Sequence, residues 1–205
     1  MFAEMLVDFS FSCFGIVPMI TSIFFEKYTI LFFSCIATFV AISDTSVSYN
    51  DNNSVEIKNA FAAADMISSI LITLLCCFVI KLYKTCIGIF RTLWLVTLVS
   101  ASSTFAFFQN LINSDHIPND ISLVALSISA CLLIFSAIYV KCKKRNQISD
   151  DVWEERLNLT IESVLIFGAF TLRFSKDIED YIQIHIGKKT WHMCSWCALN
   201  LLCKK

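Results

Sequence analysis

The chain has 205 residues, of which 57% are hydrophobic and 16% charged, with a net charge of −1. An ordinary soluble domain carries about 25% charged residues, and the near-zero net charge leaves no basic face for nucleic acid. Nineteen Phe against four Gly and two Pro suit helices that face lipid, not a compact soluble domain rich in turns.

The chain starts MFAEMLVDF and has no Lys or Arg before Lys27. It therefore lacks the basic region of a cleavable signal peptide, and the first predicted helix, 6–25, is expected to stay in the mature protein. Glu26-Lys27-Tyr28 breaks the apolar run, and a second, shorter helix is expected over 29–43. Residues 9–43 are too long for one straight crossing at about 1.5 Å per residue. The competing reading is a single helix bent near Pro18. Residues 44–59, DTSVSYNDNNSVEIKN, form the longest hydrophilic connection between predicted spans. They contain the sequon Asn52-Asn53-Ser54, which makes Asn52 a glycosylation candidate.

A third helix is expected over 60–80, followed by the turn KLYKT, a fourth helix over 86–108 and the polar loop NLINSDHIPND. The fifth, 121–140, reads ISLVALSISACLLIFSAIYV and is followed at once by Lys141, Lys143, Lys144 and Arg145. An uncharged run of this length spans the hydrocarbon core of about 30 Å, and a basic cluster marks a cytoplasmic end. Lys81, Lys84 and Arg91 mark the turn between the third and fourth helices as cytoplasmic too. The two assignments agree because two crossings separate them. The 44–59 loop and the N-terminus are then outside, and the Glu26-Lys27 turn is inside.

The sequence divides into a transmembrane helical domain, 1–145, and a cytoplasmic amphipathic or interfacial tail, 146–205. Ser149-Asp150-Asp151 can cap and start a helix. It leads into 159–174, LTIESVLIFGAFTLRF, where ten uncharged residues separate Glu162 from Arg173. Ten residues of helix cover about 15 Å, half the hydrocarbon core. Glu162 and Arg173 share one helix face, so this stretch is expected to lie along the membrane surface with both charges in water. A short sixth crossing is the competing reading. The fold class is therefore all-α: a multi-pass transmembrane helical bundle of five spans, with 159–174 as the candidate sixth. Helices three to five resemble the compact, short-looped arrangement of tetraspan proteins, without a diagnostic motif of any such family.

Ionisable residues inside spans are functional leads, because a charge in lipid is costly. Asp65 and Arg91 are the intramembrane candidates, with Asp8 near the start of the first helix. Their depths differ, so a direct Asp65–Arg91 pair is not expected. Six of the ten cysteines (Cys13, Cys35, Cys76, Cys77, Cys86 and Cys131) lie in or beside apolar runs and read as small hydrophobes. No framework of loop cysteines suggests a disulfide scaffold. His192, Cys194, Cys197 and Cys203 could supply zinc ligands around one C-x-x-C, but little chain is available to wrap a metal. Membrane attachment is the favoured reading for that segment. Trp191 and Trp196 suit the interface and Lys188, Lys189, Lys204 and Lys205 suit anionic headgroups, while Cys142, Cys194, Cys197 and Cys203 are lipidation candidates.

No phosphate loop, nucleophile elbow or metalloprotease motif is present, so the sequence implies neither an enzyme nor a cofactor. Small residues at Ser100–Ser103, Ala125/Ser129 and Ala60/Ala64 allow close helix packing, within the chain or between copies. The expected partners are the lipid bilayer and other membrane proteins. The leading reading is a membrane-organising, adaptor or trafficking protein that works through its tail. The alternative is a small transporter or channel subunit using a polar site around Asp65.

Overall fold

The structure is a computed structural model that describes residues 2–50, 52–82, 86–112, 150–182 and 187–205. The described residues form seven helices: α1 (Phe2–Cys13), α2 (Ile16–Phe24), α3 (Tyr28–Ser48), α4 (Val55–Val79), α5 (Cys86–Ile112), α6 (Asp150–Ile182) and α7 (Gly187–Cys203). The predicted fifth span, the basic cluster after it, Cys142 and the Ala125/Ser129 pair lie outside the described residues. Among the described residues four stretches are long and apolar enough to cross a membrane: Met5–Phe24, Tyr28–Ser48, Val55–Val79 and Trp153–Phe174. The chain is thus an all-α bundle with the character of a membrane protein.

The first predicted helix is broken at Phe14-Gly15 into α1 and α2. A Cβ at residue 15 would collide with Thr38 of α3, so the glycine lets the two helices close up. Pro18 sits in the first turn of α2, where its missing N–H has no intrahelical partner to lose. The expected break at Glu26-Lys27 is present. Glu26 takes φ 54°, with Lys27 N–H donating to the Ser22 carbonyl at 2.8 Å and Glu26 N–H to that of Ile23 at 3.1 Å. This is a left-handed helix cap made without glycine.

Helix α3 runs five residues past its predicted end, and α4 starts five residues early. The polar side chains in these extensions find partners inside the bundle. The Ser12 and Thr45 hydroxyls lie 3.0 Å apart across α1 and α3, and Tyr49 donates to Asp8 at 2.6 Å. Ser54 caps α4, its hydroxyl accepting from Ile57 N–H. The 44–59 connection therefore shrinks to a short turn, in which Asn52 is exposed.

The largest departure from the sequence reading concerns residues 150–205. Helix α6 has 33 residues, a length of about 50 Å. Glu162 and Arg173 are 4% and 5% exposed, so the helix does not keep its charges in water as a surface helix would. Glu162 has instead a buried partner within the bundle, described below. Helix α7 runs antiparallel to α6: Lys205 meets Glu154, and Trp191 and Cys194 pack on Gly168. It lies against α1, α2, α3 and α4 as well, with Trp191, Leu199, Leu202 and Cys203 in the common core. Lipid is as apolar as leucine, so apolar contact alone does little to draw a helix inward. Helix α7 carries two Trp, a His, a Ser and two Lys, and these need partners that lipid cannot supply.

The α2–α3 turn, the α4 end and Lys205 sit at one end of the bundle. Asp8, Asp44 and the start of α7 sit at the other.

Candidate functional site

Three carboxylates from three helices converge on the first two turns of α7. Lys189 pairs with Asp8 of α1 at 2.7 Å, and Lys188 pairs with Asp44 of α3. His192 places Nε2 3.4 Å from each carboxylate oxygen of Asp65 on α4. Spacings of one, three and four residues fan these side chains toward different neighbours. Two lysines at a helix N-terminus oppose the macrodipole, and Asp8 and Asp44 offset that penalty.

Asp65 lies ten residues inside α4, about 15 Å from its start. It is not at a frayed helix end, as a helix beginning at residue 60 would place it. Its side chain is 14% exposed and that of His192 6%. One turn further along, Trp191 Nε1 donates to Ser69 Oγ at 2.7 Å. The Ser68 and Ser69 hydroxyls donate back to the Asp65 carbonyl, and Thr73 donates to that of Ser69. Across α5, Thr104 contacts the Met66 sulfur at 3.6 Å. Ser102 and Ser103 of α5 and Ser195 of α7 are buried, and their hydroxyls have no hydrogen-bond partner among the described residues. The Ser100–Ser103 patch thus turns two of its hydroxyls into the bundle.

A second buried ion pair lies further along the same seam. Arg91 of α5 grips Glu162 of α6, with Nη2 2.6 Å from both carboxylate oxygens and Nε 3.1 Å from one. Cys77 of α4 lies beside this pair. From Asp65 to Cys77 is twelve residues, or about 18 Å along α4. Arg91 is thus held within the bundle by Glu162. As the sequence implied, it does not meet Asp65; each has a partner of its own. At the far end Lys205 reaches Glu154 at 2.9 Å and Asn158 at 3.1 Å.

The four zinc candidates are not brought together. His192 faces α4, Cys203 meets Ser22 of α2 at 3.3 Å, and Cys194 and Cys197 line an open groove of about 450 Å³ between α6 and α7. Among the described residues no group of three or more His, Cys, Asp or Glu is placed to hold a metal. Of the lipidation candidates described, Cys197 is exposed and Cys194 and Cys203 are buried.

The sequence analysis missed Glu162 as the partner of Arg91 and His192 as a buried partner of Asp65. A usable signal existed: each charge in an apolar run needs an opposite charge, and Arg91 and Glu162 are such a pair. Nothing local links His192 to Asp65, 127 residues away. Compared with protein-family models, with curated proteins and with solved structures, the chain matches none.

Proposed function

We propose that the chain is a small membrane transporter or channel subunit, without enzymatic activity, whose route follows the polar seam from Asp65–His192 to Arg91–Glu162. The observation that carries this reading is the Asp65–His192 pair, about 15 Å inside α4. Ionisable groups at such depth are expensive, and in membrane proteins they mark ion and substrate paths. Buried hydroxyls on α4, α5 and α7 supply polar stations between the two pairs.

An adaptor acting through its tail would have to offer residues 187–205 to partners. In the bundle Trp191, His192, Ser195 and Trp196 of this segment face inward, which favours the transport reading. By the positive-inside rule, the end carrying Lys27, Lys81 and Lys205 faces the cytoplasm. The α6–α7 hairpin returns Lys205 to the side on which α6 began.

The test is flux in vesicles of phosphatidylcholine and phosphatidylglycerol holding the full chain, under imposed proton, sodium or potassium gradients. The wild type should discharge at least one gradient, and Asp65→Asn should slow it about tenfold or more while the protein still elutes as a folded species. Equal flux from both proteins would remove the reading.

A further inference from the structure

The α6–α7 hairpin carries an open groove of about 450 Å³ on the side of α7 turned away from Trp191 and His192. Thr160, Ser163 and Phe167 line it from α6, and Thr190, Met193 and Cys197 from α7. Each set spans about 10 Å of helix. The walls present little that seeks water. Thr160 and Ser163 turn their hydroxyls back to the carbonyls of Arg156 and Leu159 at 2.9 and 2.7 Å, and the Phe167 ring is exposed.

The same two stripes continue to a pair of cations. Arg156 lies four residues before Thr160, and Trp153 three before Arg156, so all three share the exposed face of α6. Lys204 lies seven residues past Cys197, about two turns down the same side of α7. Because Lys205 reaches Glu154 and Asn158, Lys204 and Arg156 end at one level. Both are exposed, and neither has an ion-pair partner among the described residues. The described acids of α6 at this level are Glu154, which holds Lys205 at 2.9 Å, and Glu155, which has a contact of its own. The exposed Trp153 ring suits a membrane interface at this end.

We propose that this face binds one anionic phospholipid, with its phosphate between Arg156 and Lys204 and one acyl chain in the groove. The occupant follows from the two halves together. A small anion would leave the apolar groove unused, and a zwitterionic lipid brings a cation of its own, which the two side chains repel. A second copy fits poorly. A two-fold axis along the membrane normal keeps each residue at its depth, so groove-to-groove docking would set Arg156 and Lys204 of both copies against one another. The positive-inside reading places this end in the cytoplasmic leaflet, where anionic lipids are found and basic pockets between helices hold their headgroups. The site stands apart from the transport reading, whose residues on these helices, Glu162 and His192, lie on other faces.

Native mass spectrometry of the full chain in detergent reads lipid binding directly, by titration with phosphatidylglycerol and phosphatidylcholine of the same acyl chains. Phosphatidylglycerol should bind about tenfold or more tighter. Arg156→Gln with Lys204→Gln should bring the two lipids within about twofold of each other. Lys81→Gln removes another exposed cation from the same end and should leave the preference intact. Ser163→Phe fills the groove from an exposed position and should weaken both lipids, and inorganic phosphate should displace neither. Equal binding of the two lipids by the wild type overturns the proposal, as does a preference that survives the double variant or falls as far in Lys81→Gln. Binding unchanged by Ser163→Phe takes the acyl chain out of the groove, and displacement by inorganic phosphate makes the ligand a free anion. A lipid-free dimer that Ser163→Phe disperses makes it a second copy. Each of these three results also overturns the proposal.

Discussion

Breaking the Arg91–Glu162 pair one side at a time should cost more than removing both partners. The Glu162 side chain is 5% exposed and that of Arg91 17%. Removing either partner strands the other in a medium with almost no water, which costs about 3–5 kcal/mol for a buried pair. The asymmetry in exposure sets the order. Arg91→Met leaves the more buried carboxylate and belongs at the upper end, while Glu162→Gln leaves a guanidinium with some solvent access and belongs near about 3 kcal/mol. For a chain of this size each kcal/mol shifts Tm by about 2–4 °C, so Glu162→Gln should unfold about 6–12 °C lower. The double variant Arg91→Met/Glu162→Met replaces the pair by apolar side chains and should recover most of the loss, because desolvating the two charges had consumed much of their attraction. Heating in detergent followed by size-exclusion chromatography reads the folded fraction of all four proteins. Single variants within about 1 kcal/mol of wild type, with additive effects in the double variant, would refute a buried pair and return both residues to the membrane surface.

A Cβ at Gly168 would lie 2.8 Å from Trp191 Cε3 and 2.9 Å from Cys194 Cβ. Gly168→Ala should therefore force α6 and α7 apart and cost about 1–3 kcal/mol in the same thermal assay, while Thr160→Ala on the exposed face should change little. Trp191→Phe removes the donor to Ser69 at 2.7 Å and should cost about 1–2 kcal/mol. Adding Ser69→Ala to it should cost little more, whereas Ser69→Ala alone strands the indole N–H, so the two effects are not additive.

Much of the helical framework was legible in the sequence. The charged break at Glu26-Lys27, the start of α5 at Cys86 and the apolar character of α3 and α4 are local properties that a hydropathy window detects. Helix ends were less legible. Asp44, Thr45 and Tyr49 look like loop residues, yet they bond to α1 and α7. The burial of charged residues in the last two helices was hidden for the same reason on a larger scale. A window counts Glu162, Lys188 and His192 as penalties, while their partners lie on other helices, 71 residues away for Glu162 and 127 for His192. Of the candidate site, Asp65 and Arg91 were visible because they interrupt apolar runs. His192 sat in a stretch whose composition pointed to the membrane surface, and its contact with Asp65 follows from the fold alone.

The central claim is that α7 lies inside the bundle, beside α1, α2 and α4, and so carries His192 to Asp65. Ser22 of α2 offers the most direct test, because its hydroxyl lies 3.3 Å from the native Cys203 thiol. Ser22→Cys places a second sulfur there without altering α7. After mild oxidation in native membranes, digestion and mass spectrometry should find the linked peptide containing residues 22 and 203 in most chains, with Cys203 closed to maleimide before oxidation. A Cys203 that maleimide modifies freely, with no linked peptide, would put residues 187–205 outside the bundle and contradict the account.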